Sequence, residues 1–379
     1  MGLAAWRRTL YDQSAGETSA AIIDVNDKTS KNGSALISIA AIVVVIYGMQ
    51  AAKSLLVPFL FAAFLALITV RPMLWLQKNR VPTILAALLI VSSIMGILAV
   101  VGTIVGTSIA GFTASLPDYQ ERLDGIVANI LSFAINNLGA DESIQGLGDI
   151  IDPSFAMGLV AGILNGLRDV LTNVFLIVFT MIFILLEASS IPTKVHAAFG
   201  SPADTFGRQR VFINNLGRYL GIKTAVSLAT GFLAWLLCWS IGLDFPLLWG
   251  MIAFLLNYVP TIGSIIAAVP AILLALIQFG WPEAVGTLTG FMAINIMFGN
   301  FIEPRLMGYG VGISPLVVFV GLIFWGWVLG PVGMLLSVPL TMTLKLALES
   351  DPGTSWIAIL IGSERDAAHA LKVKPPDDE

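Results

Sequence analysis

The residues with chemistry to offer are few, and they gather in one apolar stretch. Between Pro246 and Leu344 the only charged side chains are Glu283, Glu303 and Arg305. Glu303 and Arg305 flank Pro304 in the run FIEPRLMG. An ionisable side chain within a membrane must be offset by a partner or by water, so Glu303 is the group expected to titrate in an ion-coupled cycle, with Arg305 beside it. The competing reading is a structural Glu303–Arg305 lock at a loop. Asn257, Tyr258, Thr261, Ser264, Asn295 and Asn300 are the candidate solute-binding residues. Their amides and hydroxyls supply the donors and acceptors that a neutral polyhydroxylated solute needs in a dry cavity. They could equally satisfy backbone groups freed by Pro260, or join helices. Glu187, Asp244 and Glu283 sit at the ends of apolar runs, where interfacial solvation is the expected role.

The elements that carry these residues are apolar, yet broken. Pro260, Gly263, Pro270, Pro304, Pro315, Gly330, Pro331, Gly333 and Pro339 are the expected hinges or helix breaks. Hydrocarbon demands a continuous backbone ladder, so the groups that Pro and Gly release must face protein or a wet cavity. Such a break in an apolar element is the sequence pointer to a transporter binding site. Phe245-Pro246-Leu247, followed by Pro260, Gly263 and Pro270, is matched by Ser314-Pro315-Leu316, followed by Pro331, Gly333 and Pro339. Folded as two hairpins that enter from opposite faces, these copies form an inverted repeat. The alternative is two long kinked helices, each crossing once. Pro246–Gln278 as one helix would run close to ~50 Å at ~1.5 Å per residue. With hairpins Glu303 and Arg305 lie in the cytoplasm; with kinked spans they lie outside.

Composition sets the class. The chain is 57% hydrophobic and 12% charged, against roughly 45–50% and about 25% in soluble domains. An all-α, polytopic membrane protein with about eight membrane segments follows, with the lipid bilayer as its solvent. The net charge of −4 comes with no basic stripe interleaved with aromatics, so nucleic acid is not an expected partner. Cys238 is the one cysteine, and His196 and His369 are too few and too far apart for a ligand cluster, so neither a disulfide framework nor a metal site is expected. No cofactor motif occurs. Gly217, Gly221, Lys223 and Thr224 lack the spacing of a phosphate loop, which excludes ATP binding there. H-E-x-x-H is absent, and the serines of the spans have no histidine partner, so an enzyme is not expected.

In chain order, residues 1–34 form a polar tail, and residues 35–117 hold the first membrane helices. Residues 118–168 begin as an amphipathic helix on Tyr119, Leu123, Ile126, Ile130 and Phe133. With Asp169 this acidic insert carries −6; the segment Ala188–Lys223 carries +4. Basic loops stay inside, so the insert is expected outside and both termini in the cytoplasm. The membrane core spans residues 169–348, with residues 203–220 as an elbow helix on the membrane surface. Residues 349–379 form a soluble tail.

Val259-Pro260-Thr261-Ile262-Gly263, Ala268-Val269-Pro270-Ala271, Asn300 to Gly308, Gly312-Ile313-Ser314-Pro315-Leu316, Gly330-Pro331-Val332-Gly333 and Val338-Pro339-Leu340 together resemble the autoinducer-2 exporter family, the PerM-like permeases. The likeness is strong over about 222–348 and consistent in layout from residue 35. It implies a bacterial inner-membrane permease with cytoplasmic termini that assembles into a homo-oligomer, plausibly a pentamer. It also implies export of small polar molecules such as the quorum-sensing signal autoinducer-2, with sodium or proton exchange in some members. The function expected is a secondary transporter working by alternating access; the alternatives are an oligomeric channel or facilitator and a sodium/proton antiporter.

Overall fold

A computed structural model describes residues 39–138, 172–187, 203–260, 262–307, 312–351 and 353–364, with isolated positions at 37, 158, 162, 194 and 197. Among the described residues there is helix and no strand. The chain divides into two compact units, Met1–Ser54 and Leu55–Glu379. The first contributes helix α1 (Ile39–Ala51). The second contains all but the first two residues of α2 (Lys53–Lys78), then α3 (Thr83–Leu138), α4 (Val174–Glu187), α5 (Ala203–Ile241), α6 (Pro246–Leu256), α7 (Ile262–Phe279) and α8 (Trp281–Asn295). A π-helical segment (Ile296–Ile302) then leads into α9 (Glu303–Met307), α10 (Pro315–Leu329), α11 (Pro331–Leu335), α12 (Ser337–Glu349) and α13 (Ser355–Ile361).

Five of the described helices are long and apolar enough to cross a membrane, and α1, α4, α6 and α10 are shorter apolar helices. Large apolar side chains cover the exterior: Phe175 is 79% exposed, and Leu316 69%. Such a surface requires hydrocarbon around it, so this is a polytopic α-helical membrane protein.

Two expected boundaries vanish. Helix α3 runs for 56 residues straight through Pro117, about 84 Å at ~1.5 Å per residue. The amphipathic start of the acidic insert is therefore the end of a membrane helix. Phe112, Tyr119 and Leu123 share one face and are buried in a single cluster with α6 and α7, and packing on both sides of Pro117 offsets the one backbone bond it lacks. Likewise α5 is continuous over 39 residues, so the segment 203–220 is the first half of that helix and no separate elbow. Leu216 and Leu220 of this segment are buried with Phe61, Phe64 and Met181.

Both broken elements are hairpins. In the first, α6 and α7 fold back on each other. The Asp244 N–H donates to Gln278 Oε1 at 3.1 Å, bringing together ends that a single helix would separate by about 50 Å at ~1.5 Å per residue. Gly263 seals the tip: a Cβ there would lie 1.8 Å from the Leu256 carbonyl oxygen and 2.8 Å from Val259 Cβ. The second hairpin, α10 through α12, repeats the device, since a Cβ on Gly333 would lie 2.0 Å from the Trp325 carbonyl oxygen and 2.7 Å from Leu329 Cβ. Its arms are joined by Trp325 Nε1 donating to Thr341 Oγ1 at 3.1 Å and by Lys345 Nζ donating to the Gly312 carbonyl at 2.7 Å.

The prolines divide into those that break helices and those that do not. Pro315 and Pro331 stand in the first turns of α10 and α11, where a missing N–H is harmless. Gly330 (φ 75°) makes the sharp turn between them. Pro270 lies inside uninterrupted α7 and is buried in its packing face, so it is no hinge. Pro339 sits in the first turn of α12 and breaks nothing either.

The first hairpin is bolted to its neighbours. Gly231 of α5 and Gly250 of α6 let the two backbones touch; a Cβ on either would approach the other's carbonyl oxygen to 2.7 or 2.8 Å. At the base, Tyr119 OH donates to Asp244 Oδ2 at 2.7 Å, and Gln278 Nε2 donates to the same carboxylate. Asp244 is thus a latch between α3 and the hairpin rather than a merely solvated group. Phe245 holds a left-handed φ of 56°, a strain of roughly 1–2 kcal/mol. Its ring docks where Gly111 of α3 has no side chain.

Candidate functional site

A cavity of about 500 Å³ opens where the first hairpin's tip meets α8, the π segment and Lys223 of α5. Asn257, Ser264, Asn295, Asn300 and Glu303 all line it, as does Pro260. Five of the polar candidates are thereby brought together from positions spread over 47 residues of sequence. Thr261 lies outside the described residues.

The tip presents Asn257 because the chain tightens there into short turns. The Asn257 N–H still closes the last α-helical bond to the Ala253 carbonyl, whereas those of Tyr258 and Val259 reach only to Leu255 and Leu256. Pro260 then offers no N–H at all. Asn257 Nδ2 donates to Ser227 Oγ on α5 at 2.9 Å, which leaves its side-chain oxygen for the cavity. Tyr258 departs from expectation. Its ring packs edge-on to Phe64 and Phe254, and its hydroxyl donates to Thr224 Oγ1 at 2.7 Å. It is a buried strut that does not line the cavity.

The π segment sets the far wall. Asn295 and Asn300 are five residues apart, an interval that diverges on an α-helix and realigns over one turn of π-helix. Both amides therefore reach the cavity. Pro304 gives the local reason for the widened turn: it has no N–H for the carbonyls of the turn before it, and the Glu303 N–H reaches back to Phe298. Pro304 thus loosens the helix without ending it, since the helical run Trp281–Met307 is continuous.

The charge on Glu303 is answered by a residue not expected to meet it. Lys223 Nζ donates to Glu303 Oε1 at 2.6 Å, with side chains 5% and 18% exposed. Arg305 is exposed on α9 and does not line the cavity, so the Glu303–Arg305 lock is corrected to a Glu303–Lys223 pair. By sequence Lys223 is the last base of the segment Ala188–Lys223, expected in the cytoplasm. The overlooked signal is the stripe Lys223, Ser227, Thr230 at i, i+4, i+7, one polar face on an apolar helix. All three are buried, and Thr230 Oγ1 has no hydrogen-bond partner among the described residues.

Comparison with known proteins places the sequence in a family. The sequence profile of the AI-2E family transporters matches residues 36–351. The AI-2 transport protein TqsA of Escherichia coli K12 is 37% identical over 326 residues, covering 86% of this chain and 94% of that protein. A protein of Haemophilus influenzae named only by an inferred transport role is 38% identical over 336 residues, 87% of this chain and 97% of its own. The similarly named YhhT of Escherichia coli K12 is 33% identical over 343 residues, 89% and 96% of the two chains.

Proposed function

The chain belongs to the AI-2E family of transporters, and from that premise we propose that it is a secondary transporter exporting a small, polar, uncharged solute of the autoinducer-2 kind by alternating access. The observation that carries this reading is the cavity at the broken hairpin tip. Asn257, Asn295, Asn300 and Ser264 bring polar side chains to a space otherwise walled by Ile272, Leu288 and Phe291. In a membrane, amides at such a wall serve water or a passing solute.

Each group has one role in the proposal. Asn257 and Asn295 bind hydroxyls of the solute from opposite walls, Asn300 and Ser264 extend the polar track, and Glu303 is where a proton or sodium gradient acts. The basic segments around Arg71–Arg80 and Lys194–Arg218 favour cytoplasmic termini in a bacterial inner membrane. Homo-oligomeric assembly is part of the same proposal.

The test is autoinducer-2 flux in proteoliposomes under imposed proton and sodium gradients. Saturable flux that responds to one gradient supports the proposal. Flux that neither saturates nor responds identifies a channel, and sodium/proton exchange indifferent to the solute identifies an antiporter. Asn257→Ala should raise the apparent KM while membrane insertion is retained; unchanged kinetics would remove Asn257 from the site.

A further inference from the structure

Among the described residues lining the cavity, Lys223 and Glu303 are the only charged ones. Their charges cancel across 2.6 Å, and the ammonium side chain is only 5% exposed. They come from positions 80 residues apart, on α5 and at the start of α9. The wall of the pocket is therefore electrically neutral only because two separate elements meet there.

We propose that the Lys223–Glu303 pair is the specificity determinant for the charge class of the solute: it admits uncharged polar molecules and excludes anionic ones, phosphate esters included. This inference rests on the transport reading above and extends it from the site to its selectivity. An anion entering the cavity must compete with Glu303 for the one ammonium. Whichever carboxylate or phosphate loses is left without a counter-charge beside an ammonium side chain only 5% exposed. An uncharged solute engages the amides of Asn257, Asn295 and Asn300 and leaves the pair intact.

The pair makes a directional forecast. Glu303→Gln removes the carboxylate and leaves a lone buried ammonium on the wall, which turns an anion-excluding pocket into an anion-accepting one. Adding Lys223→Met removes that ammonium, and the pocket is neutral again, without the pair.

The experiment is solute counterflow in proteoliposomes containing the full chain, which needs no ion gradient and so reads selectivity apart from coupling. The probes are autoinducer-2 and its phosphate monoester, compared as a flux ratio. Thermal stabilisation of the detergent-solubilised protein by each probe gives a second readout that requires no turnover. The wild-type chain should favour the uncharged probe at least about tenfold, Glu303→Gln should raise the ester-to-neutral ratio at least about tenfold, and Lys223→Met/Glu303→Gln should bring it back down. A ratio that is the same in all three proteins overturns the inference while leaving transport standing, as does a wild-type chain that moves both probes equally. If Glu303→Gln does not fold, Lys223→Met decides: the lone carboxylate it leaves should lower the ester-to-neutral ratio below the wild-type value, and an unchanged or higher ratio overturns the inference. A wild-type chain that neither moves nor binds either probe refutes the transport reading, and this inference with it.

Discussion

Replacing Gly263 by alanine should open the first hairpin at its tip. The added Cβ would stand 1.8 Å from the Leu256 carbonyl oxygen, where contacts under 3.0 Å are essentially never tolerated, so the turn must part by about 1.2 Å. The obstructing atom is backbone and cannot swing aside. Overpacking costs about 1–3 kcal/mol, and a backbone obstruction belongs at the upper end. At about 2.1 cal/mol/K per residue over 379 residues, each kcal/mol shifts the midpoint by about 1.3 °C, so the unfolding temperature should fall by about 4 °C. The control is Gly286→Ala on α8, where a Cβ meets nothing within 4 Å. There the better helix former should be neutral or stabilising, by up to about 1 kcal/mol. Thermal unfolding in detergent, followed by tryptophan fluorescence, separates the two. The same tip carries Asn257 and Pro260 into the cavity, so a displacement of about 1 Å should also reduce solute flux, by as much as about 100-fold. A Gly263→Ala protein that melts with the Gly286→Ala control and transports normally would refute the hairpin packing and its link to the site.

Further outcomes follow from other contacts. Lys223→Met leaves the Glu303 carboxylate without its counter-charge, and breaking a buried pair costs about 3–5 kcal/mol; Glu303 keeps 18% exposure, which favours the lower end. The Lys223→Met/Glu303→Gln protein should recover more than half of that loss in unfolding temperature, and equal melting of the single and double variants would contradict the pairing. Tyr119→Phe deletes one donor to Asp244 while Gln278 still bonds it, so about 1 kcal/mol should be lost. Asp244→Ala should cost more, because it removes the acceptor of both Tyr119 and Gln278 at once; the reverse order in a melting series would reject the latch. Gly111→Ala sets a Cβ 2.7 Å from the edge of the Phe245 ring. A ring can turn where a carbonyl cannot, so the penalty should stay under about 2 kcal/mol and below that of Gly263→Ala.

The sequence alone determined what depends on composition and local bonding. Apolar content and proline spacing specify an all-helical membrane chain with breaks at Pro260 and Pro331, because missing N–H groups and hydrocarbon act residue by residue; hairpin against kinked span was settled only by contacts such as that of Asp244 with Gln278. The polar candidates Asn257, Ser264, Asn295, Asn300 and Glu303 were legible for the same reason: an amide or carboxylate in an uncharged run stands out wherever the chain goes. Tertiary packing decided the rest. It carried α3 through Pro117 and α5 through residue 220, since buried contacts on both sides outweigh a lost backbone bond or a change of polarity. It left Pro270 inside a continuous helix and withdrew Tyr258 into an aromatic cluster. It also chose Lys223 over Arg305 for Glu303, a choice invisible in one dimension: the nearer base is two residues away in sequence, but the one that shares the buried wall is 80 residues away.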